Sequence, residues 1–362
     1  MPLVAYQRAH GANDYPLHFA FFEQLEKRKL LDKYDFSIDT FLDPEYAKRL
    51  VLRFPQLVLA TDKSPSRKRI EWLKRYIGKG YRWAAKLDRV DAVCEAPGGR
   101  LASNYSGNLS NWWLYPRAKR RAVFFHSMEK NVLDAPKLRQ SLGEADLFVA
   151  RTSESGNYAR MAGCPKVVCS SDIAFSIQPS SIVYRDGVAA ALRIPHANAT
   201  EGKAKVTDLL DYFESDTSRV YDLVRVEEPI GSEMYARNYV CGKHNHMHLY
   251  SDDLMYTPFQ FKRDAIISCR LHTTILSLLS GNTRILQAQV EMGTTKIQQI
   301  KDDLQLSSLS IHQLHDLTVD KVAEFISSGP DLDPVEVQAS ISLARERNEV
   351  GLDAVQEWLE SL

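Results

Sequence analysis

Residues 265–286 read AIISCRLHTTILSLLSGNTRIL, and this stretch decides the fold. Ala265–Ser268 is a short apolar run, the length and composition of a buried strand. Thr273–Ser280 is apolar and long enough to predict a helix, which Gly281 ends. Thr283–Leu286 is a second apolar run. Strand, helix and strand joined by short connections predict a mostly parallel sheet covered on both faces.

The same alternation continues on either side. Leu3–Gln7 predicts a first strand. A polar break at Gly11-Ala12-Asn13-Asp14 follows, then a helix with Leu17, Phe21, Leu25 and Leu30 on one face. Val90–Cys94 predicts a strand ending at Pro97-Gly98-Gly99, and Ala122–Phe125 one ending at His126-Ser127. Leu147–Ala150 leads to Arg151, and Val167–Cys169 to Ser170-Ser171-Asp172. Helices are predicted over Ala135–Leu142 and Ser153–Ala162. A second round has strands at Val188–Arg193 and Val220–Arg225, with helices at Lys205–Phe213 and Thr295–Leu304. Pro334–Leu362 carries helical spacing.

One hydrophobic core rarely grows past ~250–300 residues, so the 362 residues predict two α/β domains in tandem. The expected divisions are 1–180, 181–335 and a C-terminal helical segment over 336–362. Lys+Arg and Asp+Glu are both 46, which argues against charge-driven nucleic-acid binding. No apolar stretch reaches the ~18 residues of a membrane span. The five cysteines form no C-x-x-C pair, which fits a reduced, cytoplasmic setting.

In open parallel sheets, ligands bind beyond the C-terminal strand ends. That singles out Asp14, Gly98, Gly99, His126, Arg151, Asp172, Arg270 and His272. Arg270-Leu271-His272 is the strongest group. Arginine holds a phosphate or carboxylate through two parallel hydrogen bonds, histidine delivers a proton near neutral pH, and the helix start adds N–H groups. An arginine–carboxylate bridge beside a satisfied histidine is the competing reading. Arg151-Thr152-Ser153 repeats the design, with helix capping beside a surface arginine as its alternative. His244, His246 and His248 invite a metal reading against that of a solvated polar loop. Lys63–Arg82 is a basic, aromatic-bearing insertion. Neither a G-x-G-x-x-G fingerprint, a Walker A motif nor a G-x-S-x-G elbow occurs, which argues against dinucleotide enzymes, P-loop ATPases and serine hydrolases.

The Ala265–Thr283 stretch resembles the signature of the polysaccharide pyruvyl transferase family. Phe148–Ser155, Ala162–Val168 and Ser171–Phe175 resemble its middle block, and Ala96–Gly99 its glycine-rich loop. Gly11–Asp14 is similar, more loosely, to its N-terminal loop. The resemblance implies two Rossmann-like domains with parallel sheets, GT-B-like, with the active site in the interdomain cleft. It also implies a transferase that moves pyruvate from phosphoenolpyruvate onto two hydroxyls of a sugar. The product is a cyclic ketal, phosphate is released, and no metal or other cofactor takes part. On this reading Arg270 and Arg151 bind the donor's anionic groups, with Leu271, Gly98 and Gly99 alongside. His272 is the general acid and Asp14 orients or deprotonates a sugar hydroxyl, while Asn104 and His126 line the acceptor side. The expected partners are phosphoenolpyruvate and a free, lipid-linked or nucleotide-linked sugar. A lipid-linked acceptor would bring the basic insertion to a membrane surface. The alternatives are a GT-B glycosyltransferase with a nucleotide-sugar donor and a non-catalytic saccharide-binding relative.

Overall fold

The computed structural model describes residues 1–7, 15–38, 44–59, 90–101, 118–179, 183–192, 199–224, 246–250, 261–289 and 296–362. The chain forms two compact units, Met1–Ile173 with Glu346–Leu362, and Ala174–Arg345.

The first unit is built on one parallel sheet. Its strands are β1 (Leu3–Gln7), β2 (Asp35–Ile38), β3 (Leu57–Leu59), β4 (Ala92–Glu95), β5 (Gly98–Leu101), β6 (Arg120–Met128), β7 (Leu147–Ala150) and β8 (Val167–Cys169). The spatial order is β3-β2-β1-β4-β6-β7-β8, with β5 also paired to β6. Its helices are α1 (Tyr15–Lys27), α2 (Pro44–Arg53), α3 (Pro136–Gly143) and α4 (Ser153–Met161). α1 forms because Leu17, Phe21 and Leu25 recur on one side, and all three are fully buried. Tyr6 of β1 meets Phe22 at 4.8 Å between ring centroids, and Phe22 meets Phe36 of β2 at 5.7 Å. Such ring pairs add ~0.5–1.5 kcal/mol each beyond their buried area.

The second unit repeats the plan. β9 (Val188–Ala191), β10 (Tyr221–Val224), β11 (Met247–Tyr250), β12 (Ala265–Ser268), β13 (Ile285–Gln289) and β14 (Ile311–Gln313) make a parallel sheet ordered β11-β10-β9-β12-β13-β14. The helices are α5 (Ala199–Ser215), α6 (Leu271–Leu279), α7 (Lys296–Asp303) and α8 (Val319–Ser328). Leu209, Leu210 and Phe213 of α5 pack on Val188, Ala190 and Ile267 in one apolar core. The final helix, α9 (Pro334–Glu360), is continuous, and its residues from Glu346 onward belong to the first unit.

Strand order sets where each unit can hold a ligand. In the first sheet the chain steps from β1 through β2 to β3 in one direction, then resumes with β4 on the other side of β1. The order therefore reverses between β1 and β4, where Gln7 lies opposite Glu95. In the second sheet it reverses between β9 and β12, where Ala191 lies opposite Ser268. Such reversals leave a crevice past the strand ends, because the connecting loops diverge.

Two local expectations are corrected. Gly98–Leu101 is not a loop but β5, laid along β6 with Gly98 opposite His126 and Leu101 opposite Met128. Because that extra ladder satisfies further backbone groups, β6 runs to Met128 rather than stopping at Phe125. His126 and Ser127 therefore lie within a strand. His248, read as part of a polar loop, stands on β11.

Candidate functional site

Arg270-Leu271-His272 stands at the reversal point of the second sheet. The Cys269 amide donates to the Ala191 carbonyl at 2.8 Å, extending the β9–β12 ladder to the turn. Arg270 is the N-cap of α6, extended at φ −130 and ψ 136. Its side chain caps none of the first-turn amides, since a guanidinium has no acceptor atom. The positive end of α6 therefore starts at an arginine and carries a histidine in its first turn. Such an arrangement suits an anion. Leu271, Arg270 and His272 are each half-buried. Leu271 lines an apolar pocket with Phe175, Ile275, Ile297 and Ile341, which anchors the turn between its two polar neighbours. Seven consecutive residues of α6, Thr273–Leu279, are buried, so the helix is embedded rather than laid on the surface.

In the first unit the structure gathers Gly98, His126, Ser127, Arg151 and Asp172 near the ends of β5 to β8. Gly98 has φ +125, a conformation that favours glycine, and Gly99 follows it in β5. Phe125, just before His126, is fully buried with φ +47. It lies in a bulge where three steps along β6 match two along β7, from Val123 opposite Phe148 to His126 opposite Ala150. The extra residue reverses which face the following side chains present. His126 is fully buried, with Nδ1 3.4 Å from the Ser127 carbonyl.

The expected roles of His126 and Arg151 need correction here. His126 lies inside the sheet rather than at an open acceptor face. Arg151, expected to hold a donor anion, is 2% exposed. Its Nη1 lies 3.0 Å from Asp172 Oδ2, and its Nε and Nη2 donate to Ser127 Oγ at 2.9 and 2.6 Å. The charge that the sequence offers to a ligand is thus balanced by Asp172, another strand-end residue. The expected capping is present: Thr152 is the N-cap of α4 and accepts from the Ser155 amide at 3.1 Å.

Asp14, Asn104, His244 and the basic insertion at 63–82 lie outside the described residues. His246 Nε2 is 3.2 Å from the carbonyls of Phe213 and Glu214. His248 Nδ1 is 2.9 Å from Asp222 Oδ1, and Asp222 also pairs with buried Arg263. These two rings are engaged separately. Among the described residues no group of three or more His, Cys, Asp or Glu side chains could hold a metal ion, and no described helix is long and apolar enough to cross a membrane.

Glu95 escapes a reading by spacing. It is fully buried at the end of β4, opposite Gln7 at the first reversal point. The signal was a charged residue closing the apolar strand AVCE, since carboxylates are almost never buried without a reason. Burial, and after it the Glu95 charge, holds the Cys94 thiol well above its ordinary range.

No protein-family model and no curated protein matches the chain. Solved structures do. S. aureus MnaA, determined with UDP, superposes with a TM-score of 0.61 at 12% identity, covering 98% of this chain and 95% of that one. A structure described as a UDP-N-acetylglucosamine 2-epimerase from Listeria monocytogenes gives 0.58 at 9% identity, with coverages of 98% and 94%. The trehalose-6-phosphate synthase OtsA gives 0.55 at 10% identity, with coverages of 100% and 99%. The chain has a GT-B-like fold. At these identities the likeness establishes the architecture and leaves the reaction to the residues.

Proposed function

We propose that this GT-B-like chain is a transferase acting on a sugar through an anionic donor, and that the donor is phosphoenolpyruvate. The observation that carries the reading is Arg270 and His272 flanking the start of α6 at the reversal point of the second sheet. Arg270 holds the donor's phosphate or carboxylate. His272 protonates the methylene carbon, which makes C2 electrophilic. One sugar hydroxyl adds to C2, the C2–O bond to phosphate breaks, and a second hydroxyl closes the ketal. Of the two hydroxyl protons released, one replaces the proton spent by His272 and the other leaves with phosphate. Electrostatic stabilisation and positioning are the contributions asked of Arg270. Asp14 is proposed to orient or deprotonate a sugar hydroxyl. Arg151 contributes through the Asp172 pair that orders the strand ends, not through direct contact.

A nucleotide-sugar donor is the second reading, and the comparisons favour it over the first: MnaA was solved with UDP, and the Listeria structure is described as acting on a UDP-sugar. A diphosphate would use the same Arg270 and helix start. Thermal unfolding with phosphoenolpyruvate, UDP and inorganic phosphate, for wild type and Arg270→Ala, separates the readings, because a ligand that binds only the folded state raises the midpoint. A rise with phosphoenolpyruvate that Arg270→Ala abolishes supports pyruvyl transfer. A rise with UDP alone replaces it with glycosyl transfer.

A further inference from the structure

Under the turn that carries Arg270 and His272 lies a fully bonded layer of buried polar side chains. Ser268, Thr273, Thr274 and Gln287 are each at most 2% exposed. Gln287 stands on β13 directly opposite Ser268 on β12. Its Nε2 lies 2.9 Å from the Ser268 carbonyl and 2.8 Å from the Ala288 carbonyl, which uses both amide hydrogens. Its Oε1 accepts from the Thr274 hydroxyl. The amide can point only one way, because reversing it would set an oxygen against two carbonyls.

The layer grips the Arg270 backbone at both ends. The Arg270 amide donates to Ser268 Oγ at 3.1 Å. The Arg270 carbonyl has the hydroxyls of Ser268, Thr273 and Thr274 at 2.8, 2.8 and 3.0 Å. Ser268 and Thr273 also bond each other. With three hydroxyl protons near one carbonyl, the Thr274 proton is available to Gln287 while Arg270 stays bonded. Both dihedrals of the N-cap residue are thereby set, and with them the direction in which its side chain leaves the backbone.

We infer that Gln287 and Thr274 are positioning residues that hold Arg270 in the geometry for binding the donor anion. The inference rests on the assignment of that anion to Arg270 and His272. A buried polar layer under a ligand turn supplies what an apolar layer cannot: direction at individual atoms, enforced by the cost of leaving any one unpaired. Thr274→Val removes the hydroxyl at nearly constant shape and leaves Gln287 Oε1 unpaired. Thr274→Ser keeps the hydroxyl. Gln287→Met keeps the volume and removes every bond the amide makes.

The test is calorimetric titration of phosphoenolpyruvate, and separately of UDP, into the full-length protein as wild type, Thr274→Val, Thr274→Ser, Gln287→Met and Arg270→Ala. Near-UV circular dichroism selects the folded variants. Thr274→Val and Gln287→Met are expected to weaken the bound ligand about tenfold. Thr274→Ser, which keeps the hydroxyl, should restore wild-type affinity. Wild-type affinity in Thr274→Val or Gln287→Met, with Arg270→Ala impaired, would overturn the positioning role while leaving the site intact. Unimpaired Arg270→Ala, or a wild type that binds neither probe, would overturn the site assignment and this inference with it. Should Gln287→Met fail to fold, the Thr274 pair decides alone.

Discussion

Arg151 and Asp172 form an ion pair sealed within the first unit, with Nη1 and Oδ2 at 3.0 Å and side-chain exposures of 1% and 0%. Ser127 takes two more guanidinium hydrogen bonds, and the Asp172 carbonyl accepts from Asn348 Nδ2 at 3.0 Å. Desolvating two charges is costly, and their attraction repays it only when the remaining hydrogen-bonding groups are satisfied. Here the pair ties the end of β7 to the turn after β8, and Asn348 ties that turn to α9.

Asp172→Asn is expected to destabilise the first unit by ~3–5 kcal/mol, because it leaves the guanidinium buried without its counter-charge. The Arg151→Met, Asp172→Leu double variant should be more stable than Asp172→Asn alone. Urea unfolding of the three proteins measures this. A double variant less stable than Asp172→Asn would mean that the pair contributes more than its own desolvation costs.

Gly351→Ala should lower stability even though alanine is the better helix former by ~1 kcal/mol. A Cβ there would meet Ser170 Oγ at 2.7 Å and Phe125 Cε1 at 3.0 Å. Ser170 cannot simply withdraw, since its hydroxyl lies 3.0 Å from Asn348 Oδ1 and 3.1 Å from the Arg347 carbonyl. Overpacking of this kind costs ~1–3 kcal/mol, so the sign is set by the clash. A raised melting midpoint would contradict it.

Acid should weaken the second unit partly through Glu336. Desolvation opposes its ionised form. The hydroxyl and amide of Ser307 and the amide of Ser308 donate to the carboxylate, however, and it is drawn down to about 2. A depressed folded-state value means stability that is present above the ordinary carboxylate range, ~4.3, and is lost as pH falls through it toward 2. Melting midpoints between pH 6 and pH 2 should fall less steeply in Glu336→Gln than in wild type. Parallel curves would assign the acid sensitivity elsewhere.

Arg270→Lys keeps the positive charge and loses the two parallel hydrogen bonds. Donor affinity should fall about tenfold, with the fold intact by circular dichroism. His272→Gln should behave oppositely, binding phosphoenolpyruvate while losing turnover, because its proposed task is proton delivery. Near-normal turnover of His272→Gln would remove it as the acid.

The stretch from Ala265 to Leu286 was legible because its signals are local. Apolar runs, a helix-length segment and a closing Gly281 lie within one crossover, and they place Arg270, Leu271 and His272 at the turn where α6 begins. The parallel sheets and the two-unit organisation follow from the same pattern repeated along the chain. Other features were hidden because they depend on partners distant in sequence. Gly98–Leu101 reads as a loop until β6 is beside it. Glu95 is only a charge after the apolar run Val90–Cys94 until Gln7 is seen opposite.

What the amino-acid order determines alone is which residues stand at strand ends and helix starts, since that follows from short-range periodicity and turn chemistry. What only the tertiary structure decides is what each of them meets. Arg151 and Arg270 have the same local setting, each following an apolar strand and preceding a helix. The register of the first sheet brings Arg151 to Asp172 and buries both. The strand order of the second puts Arg270 at the point of reversal. Ladder register and strand order join residues far apart in the chain, and so set the surroundings of each strand-end side chain.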